Sequence, residues 1–543
     1  MRGASPDEPA RSPTFPDAGP RQLDGHPRVS TLSASGQIVI RLWPLLVTFL
    51  LMVPTWSFPL SWDQSVYAYI GWGILNGHPP YRDAWAQNAP GNFFAYAAAI
   101  RLFGESAPAV AFLHLGEVLA GTGAVMLAAR LLLGQRYAAP AGMLFGATAA
   151  LCVGFWGRGH PEMLMAVAVT LTVVLVTVAH GSPKWAGLAW GAAGALAGVS
   201  LMLKPTGAIV AVLAVGGPLA FGRGRVARPQ AASMAAFAVG LLGPPALTLL
   251  YLWSTGSLEF FIEQVLGYNL HYVSSGYTGS LWVSFIELDG KTVLLTGPAP
   301  VLAAIALIKV LRHQLDVPAV RLLLYWAGLT YLAVVLQGFH YDYHQYFSLP
   351  AFAVMGAVTV VQWRRFVPTR RRLLYPAAIL TALYVGVEAA IFVPRLGTSA
   401  ASLGATLGLV TQDAYLRRFE GPSNEPRLRR SVSGYLRQMT APADTIFVVG
   451  EGSIYFAALR RAPTRLFQEL PLWNTGDAQP LLTALLDDLA AAPPRYIVVH
   501  HGPEDFFVRE QQAVLDTIQP FMAQRYVPDR SFERFVAYRR RDE

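Results

Sequence analysis

Eleven long apolar stretches lie between residues 38 and 394 and leave this chain few choices of fold: 38–60, 107–133, 138–156, 163–179, 186–203, 206–221, 231–253, 292–309, 322–337, 346–361 and 374–394. A helix needs about 20 apolar residues to cross the hydrocarbon of a bilayer, and most of these stretches approach that length. Only 14% of the residues are charged and 53% are hydrophobic, too little charge for an ordinary water-facing surface. The expected fold is a polytopic α-helical membrane protein with about eleven transmembrane helices. Closely spaced stretches such as the third and fourth blur the count to between ten and twelve.

The net charge of +9 does not point to nucleic acid, because of where it sits. Arg130, Arg136, Lys184, Arg223, Arg225, Arg228, Lys309, Arg312, Arg321 and the run Arg364, Arg365, Arg370, Arg371, Arg372 fall in alternate connections. The positive-inside rule makes those connections cytoplasmic. Residues 254–290 carry no Lys or Arg and belong outside. Residues 1–36 read as a disordered cytoplasmic tail, rich in Pro, Ser and Asp without periodicity. The first stretch lies too far from the start for a cleaved signal. The single cysteine, Cys152, excludes an intrachain disulfide. The expected location is the inner (plasma) membrane.

Three regions follow: the tail, a transmembrane domain over 37–395 and a C-terminal domain over 396–543. The first span delivers residues 61–105 to the outer face. Val66, Ile70 and Ile74 repeat there at helical spacing, which predicts a short amphipathic helix lying at the interface. Gly77, Pro79 and Pro80 break it, and a second short helix is predicted over 92–103. In the last region, apolar strands at 445–449 and 496–499 and a strand around 535–538 alternate with helices at 453–460, 480–491 and 506–518. This predicts a small extracytoplasmic α/β domain.

Polar residues that are costly near lipid collect at the outward ends of the spans: Asp63, Asp83, Arg158, His160, Glu162, Lys204, His340, Asp342 and His344. Asp63 follows the first span, where a carboxylate could deprotonate a hydroxyl at the bilayer edge or cap the next helix. Tyr81, Arg82 and Asp83 follow a pair of prolines and form either a polar loop over a cavity or a solvated turn. Arg158, His160 and Glu162 fall within five positions, facing a cavity or one another; snorkelling is the bland reading of Arg158. Lys204 breaks the positive-inside tendency and could grip a lipid phosphate. His340 and His344 have the spacing of a metal pair, but no third ligand follows in the segment, so no metal is expected. Phosphate-cradling glycine motifs are absent in any strand–helix setting, and no nucleotide or other cofactor is expected.

These features together resemble the GT-C glycosyltransferases, in the bacterial branch related to protein O-mannosyltransferases, aminoarabinose transferases and rhizobial lipopolysaccharide galacturonosyltransferases. The resemblance runs over most of residues 40–395. It is strongest from Trp62-Asp63 through Tyr67, Asn76-Gly77, Pro80-Tyr81-Arg82-Asp83 and Pro90-Gly91 to Phe103-Gly104. Glu162, Leu203-Lys204-Pro205-Thr206-Gly207 and His344 ahead of Pro350 add to it. Two positions depart from the pattern: Gln64 stands where the family often has a second acid, and Asn88-Ala89 precedes Pro90 where a lysine is common. The resemblance implies a membrane glycosyltransferase that moves a sugar from a polyprenyl-phosphate carrier to a lipid, glycan or protein acceptor of the cell envelope. It implies Asp63 as base, with Lys204, Arg158 and one of His340 or His344 on the donor phosphate. Glu162, Asp83, Tyr81 and Arg82 are implied as acceptor-binding or orienting residues. Competing classes are a lipid-linked sugar flippase, a GT-C glycan ligase or polymerase, and a membrane scaffold with merely interfacial polar clusters.

Overall fold

The computed structural model of the protein describes residues 34–151, 155–220, 231–270, 296–312, 317, 319–337, 341–365, 371–421, 424–473, 475, 477–501 and 507–541. His340, Cys152, Arg223, Arg225, Arg228 and Arg370 lie outside the described residues, as do most of the N-terminal tail and the greater part of 254–290. The chain divides into two units between Arg41 and Leu42, and the larger, Leu42–Glu543, holds the site and the C-terminal domain.

Each predicted apolar stretch falls on a helix: α1 Ala34–Met52, α4 Ala107–Leu133, α5 Gln135–Leu151, α6 Pro161–Gly181, α7 Ala186–Leu203, α8 Ile209–Ala220, α9 Ala231–Ser254, α10 Pro298–Leu311, α11 Val320–Val335, α12 Leu349–Val361 and α13 Arg371–Thr406. Among the described residues, five helices are long and apolar enough to cross a membrane, and a sixth span arises if the bent pair Leu42–Ser57 and Trp62–Leu75 is counted as one. The chain is a mostly helical, multi-pass membrane protein with a small C-terminal sheet. Its largest core joins α4, α5, α6, α7, α11 and α12 through Val125, Phe145, Val169, Trp190 and Trp326.

The extramembrane segment departs from expectation. Helices α2 (Trp62–Leu75) and α3 (Gly91–Phe103) form, but α2 is not a surface helix with one wet face. Every residue from Gln64 to Trp72 is buried. Val66, Ile70 and Ile74 mark one apolar face; Tyr67 and Tyr69 point to different sides of the helix, and their rings are covered too. Tyr69 packs on Tyr455 and Phe467 of the C-terminal domain, with ring centroids 5.2 and 4.7 Å away, and its hydroxyl accepts from the Ala462 amide at 3.0 Å. The chain turns by 84° between the first span and α2, so α2 leaves the bundle and lies beneath that domain.

The C-terminal domain is a four-stranded sheet in the order β1 (Ile446–Val449), β2 (Tyr496–His500), β4 (Phe535–Arg540), β3 (Tyr526–Ser531). β1 and β2 are parallel, the other pairs antiparallel. β1 and β2 are buried along their whole length, which is why they read as short continuous apolar runs. Helices α14 (Pro426–Met439), α15 (Gln479–Ala491) and α16 (Val508–Arg525) accompany them. α14 and β3 escape a reading by apolar runs. α14 is rich in arginine, and β3 is a largely exposed edge strand containing Pro528.

Candidate active site

The site forms where α1, α5, α7 and α11 end and α6 and α12 begin. Asp63 sits in the first turn of α2, but it is not the cap. Ser61 occupies that position, and the Gln64 side-chain oxygen accepts from the Ser61 amide at 3.2 Å. Gln64 is fully buried and its amide donates to the Phe155 and Arg158 carbonyls at 3.1 and 3.0 Å. A carboxylate could make neither of those bonds, which gives Gln64 a structural reason to stand where an acid was expected. Gln64→Leu, which strands one donor and two acceptors, is expected to destabilise the protein by about 2 kcal/mol, read as a lower melting temperature in detergent.

With capping done by its neighbours, the Asp63 carboxylate is left available. Among the described residues no hydrogen bond reaches it; the His160 Nε2 lies 3.8 Å from its Oδ2, beyond hydrogen-bond range. The side chain keeps 39% of its surface open, although protein surrounds it closely enough to desolvate the carboxyl. Desolvation there, helped by the Glu162 charge and opposed by Lys204, pushes its carboxyl up to about 6.

The other half of the site surrounds Lys204. Pro205 stops α7 one residue after it and leaves Lys204 extended, with its side chain free to turn into the bundle. The ammonium donates to Glu162 Oε1 at 2.6 Å, to the Gln337 side-chain oxygen, and to His344 Nε2 at 3.3 Å. Glu162 begins α6 and has no exposure, whereas Lys204 keeps 26%. Glu162 Oε2 is buried without a hydrogen-bond partner among the described residues. Because a lysine only donates, His344 Nε2 is the acceptor in that contact, and it also lies 3.6 Å from Glu162 Oε1.

A ladder of rings joins the two halves. His160 stacks on Tyr343 at 3.6 Å, and Tyr343 meets His344 edge-on at 4.9 Å. His160 donates Nε2–H to the Trp156 carbonyl at 3.1 Å, which holds it beside Asp63. Glycines let the backbones converge. Gly159 has φ +67° and lies against the Tyr96 hydroxyl, so a side chain there would be both strained and blocked. Gly91, at the start of α3, rests on the Met202 carbonyl near the end of α7, where a Cβ would come within 2.7 Å. The Pro90-Gly91 motif thus seats the extramembrane helices beside Lys204.

The structure brings together Asp63, His160, Glu162, Lys204 and His344 and gives Arg158, Tyr81, Arg82 and Asp83 other partners. Arg158 is 3% exposed, and its guanidinium donates to the Thr55 and Pro59 carbonyls at 2.9 and 2.8 Å, bracing the bend before α2. Tyr81 is fully buried with φ +69°, held by its amide bond to the Ala84 carbonyl and its hydroxyl bond to the Asn88 carbonyl, both 2.8 Å. Arg82 and Asp83 pair at 2.7 Å, and His78 approaches Asp83 at 3.1 Å. Burial opposes ionisation of Asp83, but hydrogen bonds from Arg82 and His78 hold its carboxyl below the usual range. These residues shape their own loop. His160 carried a polar signal in the sequence; Tyr343 and Gln337 carried none that distinguishes them from ordinary membrane-boundary residues.

Neither a protein-family model nor a curated protein matches the sequence. Solved structures do. ArnT from Cupriavidus metallidurans bound to undecaprenyl phosphate aligns over 93% of this chain and 98% of its own, with a TM-score of 0.58 and 16% identity. The chain has the GT-C fold. Apo ArnT aligns over the same shares with a TM-score of 0.57. The Archaeoglobus fulgidus oligosaccharyltransferase aligns over 91% of this chain and 73% of its own, with a TM-score of 0.48 and 13% identity. The GT-C fold accounts for the bundle together with the C-terminal domain, since the ArnT alignment spans nearly all of both chains.

Proposed function

We propose that this protein is an integral-membrane glycosyltransferase that moves a sugar from a polyprenyl-phosphate carrier to a cell-envelope acceptor on the outer face. One observation carries the reading most directly: an available carboxylate, Asp63, lies within electrostatic reach of a cation, Lys204, at a single end of the bundle. The solved ArnT that shares the fold is bound to undecaprenyl phosphate. Sequence topology supports the side, since the site lies at the ends opposite the basic connections.

In this reading Asp63 takes the proton of the acceptor hydroxyl. The oxygen attacks the anomeric carbon, the bond from that carbon to the carrier phosphate breaks, and its electron pair leaves on the phosphate oxygen. The anomeric configuration inverts. Lys204 and His344, with His340 as a further candidate, meet the charge that grows on the departing phosphate. Glu162 and Gln337 hold Lys204 ready for it. Arg158 is assigned to the bend and not to the phosphate, because its guanidinium already serves two carbonyls. Tyr81, Arg82 and Asp83 are assigned to shaping the wall beside the acceptor, and the C-terminal domain to acceptor choice.

Purified protein incubated with a panel of polyprenyl-phosphate sugars and envelope acceptors, with products read by mass spectrometry, tests the proposal. It fails if no glycosidic product forms, and flux of the lipid-linked sugar across proteoliposomes without product would indicate a flippase. Turnover is expected to be unchanged by chelators. It is also expected to depend on pH. Asp63 must be ionised to act as base, and its raised value means kcat/KM falls as pH drops through about 6. A flat profile between pH 5 and 7, values chosen to bracket that midpoint at roughly one unit either side, contradicts this.

A further inference from the structure

The bend that aims Asp63 is a single turn of tight helix, Val53–Ser57, followed by extended residues 58–61. Its carbonyls point into protein, where each needs a donor. Two buried arginines supply them from different parts of the fold. Arg158 serves Thr55 and Pro59 from the helix bundle. Arg429, on the first turn of α14 in the C-terminal domain and 5% exposed, donates Nη1 to the Leu60 carbonyl at 2.6 Å. Leu60 immediately precedes the capping Ser61, and Asp63 lies in the turn that Ser61 starts.

Arg429 is itself fixed from behind. Its Nη2 donates to Asn424 Oδ1 at 3.0 Å and lies 3.6 Å from Glu451 Oε2. Glu451 is 5% exposed and belongs to the Gly450-Glu451-Gly452 turn at the carboxyl end of β1; its Oε1 accepts from the Ser453 amide at 3.2 Å. The guanidinium therefore connects the end of a buried parallel strand to the backbone that starts α2. A charge-assisted bond of this kind is directional and stronger than one between neutral groups. Other contacts from residues after 396 reach either side of Leu60: Ser402 donates to the Pro54 carbonyl, Ser57 bonds the Tyr415 hydroxyl at 3.1 Å, and the Trp62 ring packs on Phe507 with centroids 6.1 Å apart, while the Tyr69 hydroxyl with Ala462 and the Trp85 amide with the Arg465 carbonyl at 2.9 Å fall farther along. Among these, Arg429 makes the hydrogen bond to the backbone nearest Asp63.

We infer that Arg429, backed by Glu451, is a positioning residue for Asp63, and that the C-terminal domain is thereby part of the catalytic scaffold. This rests on the proposed role of Asp63 as base. A small misplacement of a reacting group by a distant change costs on the order of 100-fold in rate.

Full-length Arg429→Met is expected to lose about 100-fold in kcat with donor KM unchanged, because Lys204 and His344 are untouched. Arg429→Lys is expected to recover part of the loss. The acid limb of kcat/KM should move to lower pH, since Asp63, faced by His160, Glu162, Lys204 and Tyr343, gains water when α2 shifts. Hydrogen exchange should quicken over residues 60–66 and stay unchanged over α6. Full turnover with an unaltered profile overturns the inference, as does faster exchange throughout the C-terminal domain with kcat and donor affinity lost together. Should Arg429→Met fail to fold, Glu451→Gln loosens the same arm and is judged by the same readouts. If the wild-type protein transfers no sugar, the proposed reaction fails; unchanged exchange over 60–66 in Arg429→Met would separately sink the positioning role.

Discussion

Asp63→Asn is expected to cut turnover by about 100- to 10,000-fold, the share that a positioned general base supplies, while the protein stays folded and inserted. The structure makes this a clean substitution. Capping of α2 is carried by Ser61 and Gln64, so no helix start depends on the Asp63 carboxylate. Among the described residues its oxygens make no hydrogen bond, and the His160 ring nitrogen stays 3.8 Å away. The charge that Asn removes is a partly desolvated one, so its loss does not cost stability. Single-turnover transfer and thermal melting on the same preparation check both halves. Near-normal turnover in the variant would take the base role away from Asp63.

Lys204→Ala is expected to weaken donor use by about 100- to 1,000-fold, the scale for removing one group that stabilises developing charge. It should also destabilise the fold, because Glu162 is then left with no exposure and no counter-charge. Breaking a buried pair costs roughly 3 kcal/mol at the low end of its range, and the low end applies because Lys204 keeps 26% exposure. Two effects in one variant need separating. The double substitution Lys204→Met with Glu162→Gln removes the stranded charge, so melting should recover while donor affinity does not. Recovery of donor affinity in the double variant would assign Lys204 a structural role only.

Much of this was legible in the sequence, and the reason is physical. The bilayer imposes length and apolarity on each span separately, so the helices could be placed one stretch at a time. The same reasoning made polar residues at span ends stand out, and Asp63, Glu162, Lys204 and His344 were found that way. What that reading could not separate is an expensive residue that does chemistry from one that holds backbone. Arg158 and Glu162 lie four residues apart with the same signal, yet the two terminal nitrogens of one guanidinium hold backbone carbonyls and one carboxylate faces a cation. Tyr81 and Asp83 lie in a motif that bonds within itself and is tied to the segment after α9, where Gln264 donates to the Tyr81 carbonyl and Thr255 accepts from Arg82. α2 was read as wet on one face because periodicity reports one face only; the C-terminal domain, far away in the chain, covers the other.

The sequence by itself determined that this is a membrane-embedded helical protein and which span ends carry the polar groups. These follow from local hydropathy and from charge counted connection by connection. Tertiary structure alone decided that Asp63 and Lys204 come within electrostatic reach of each other, that His160 stacks on Tyr343 beside them, and that Arg429 reaches the start of α2. Each of those contacts joins residues from separate elements, and a partner's identity depends on how helices pack, which no local property of the chain encodes.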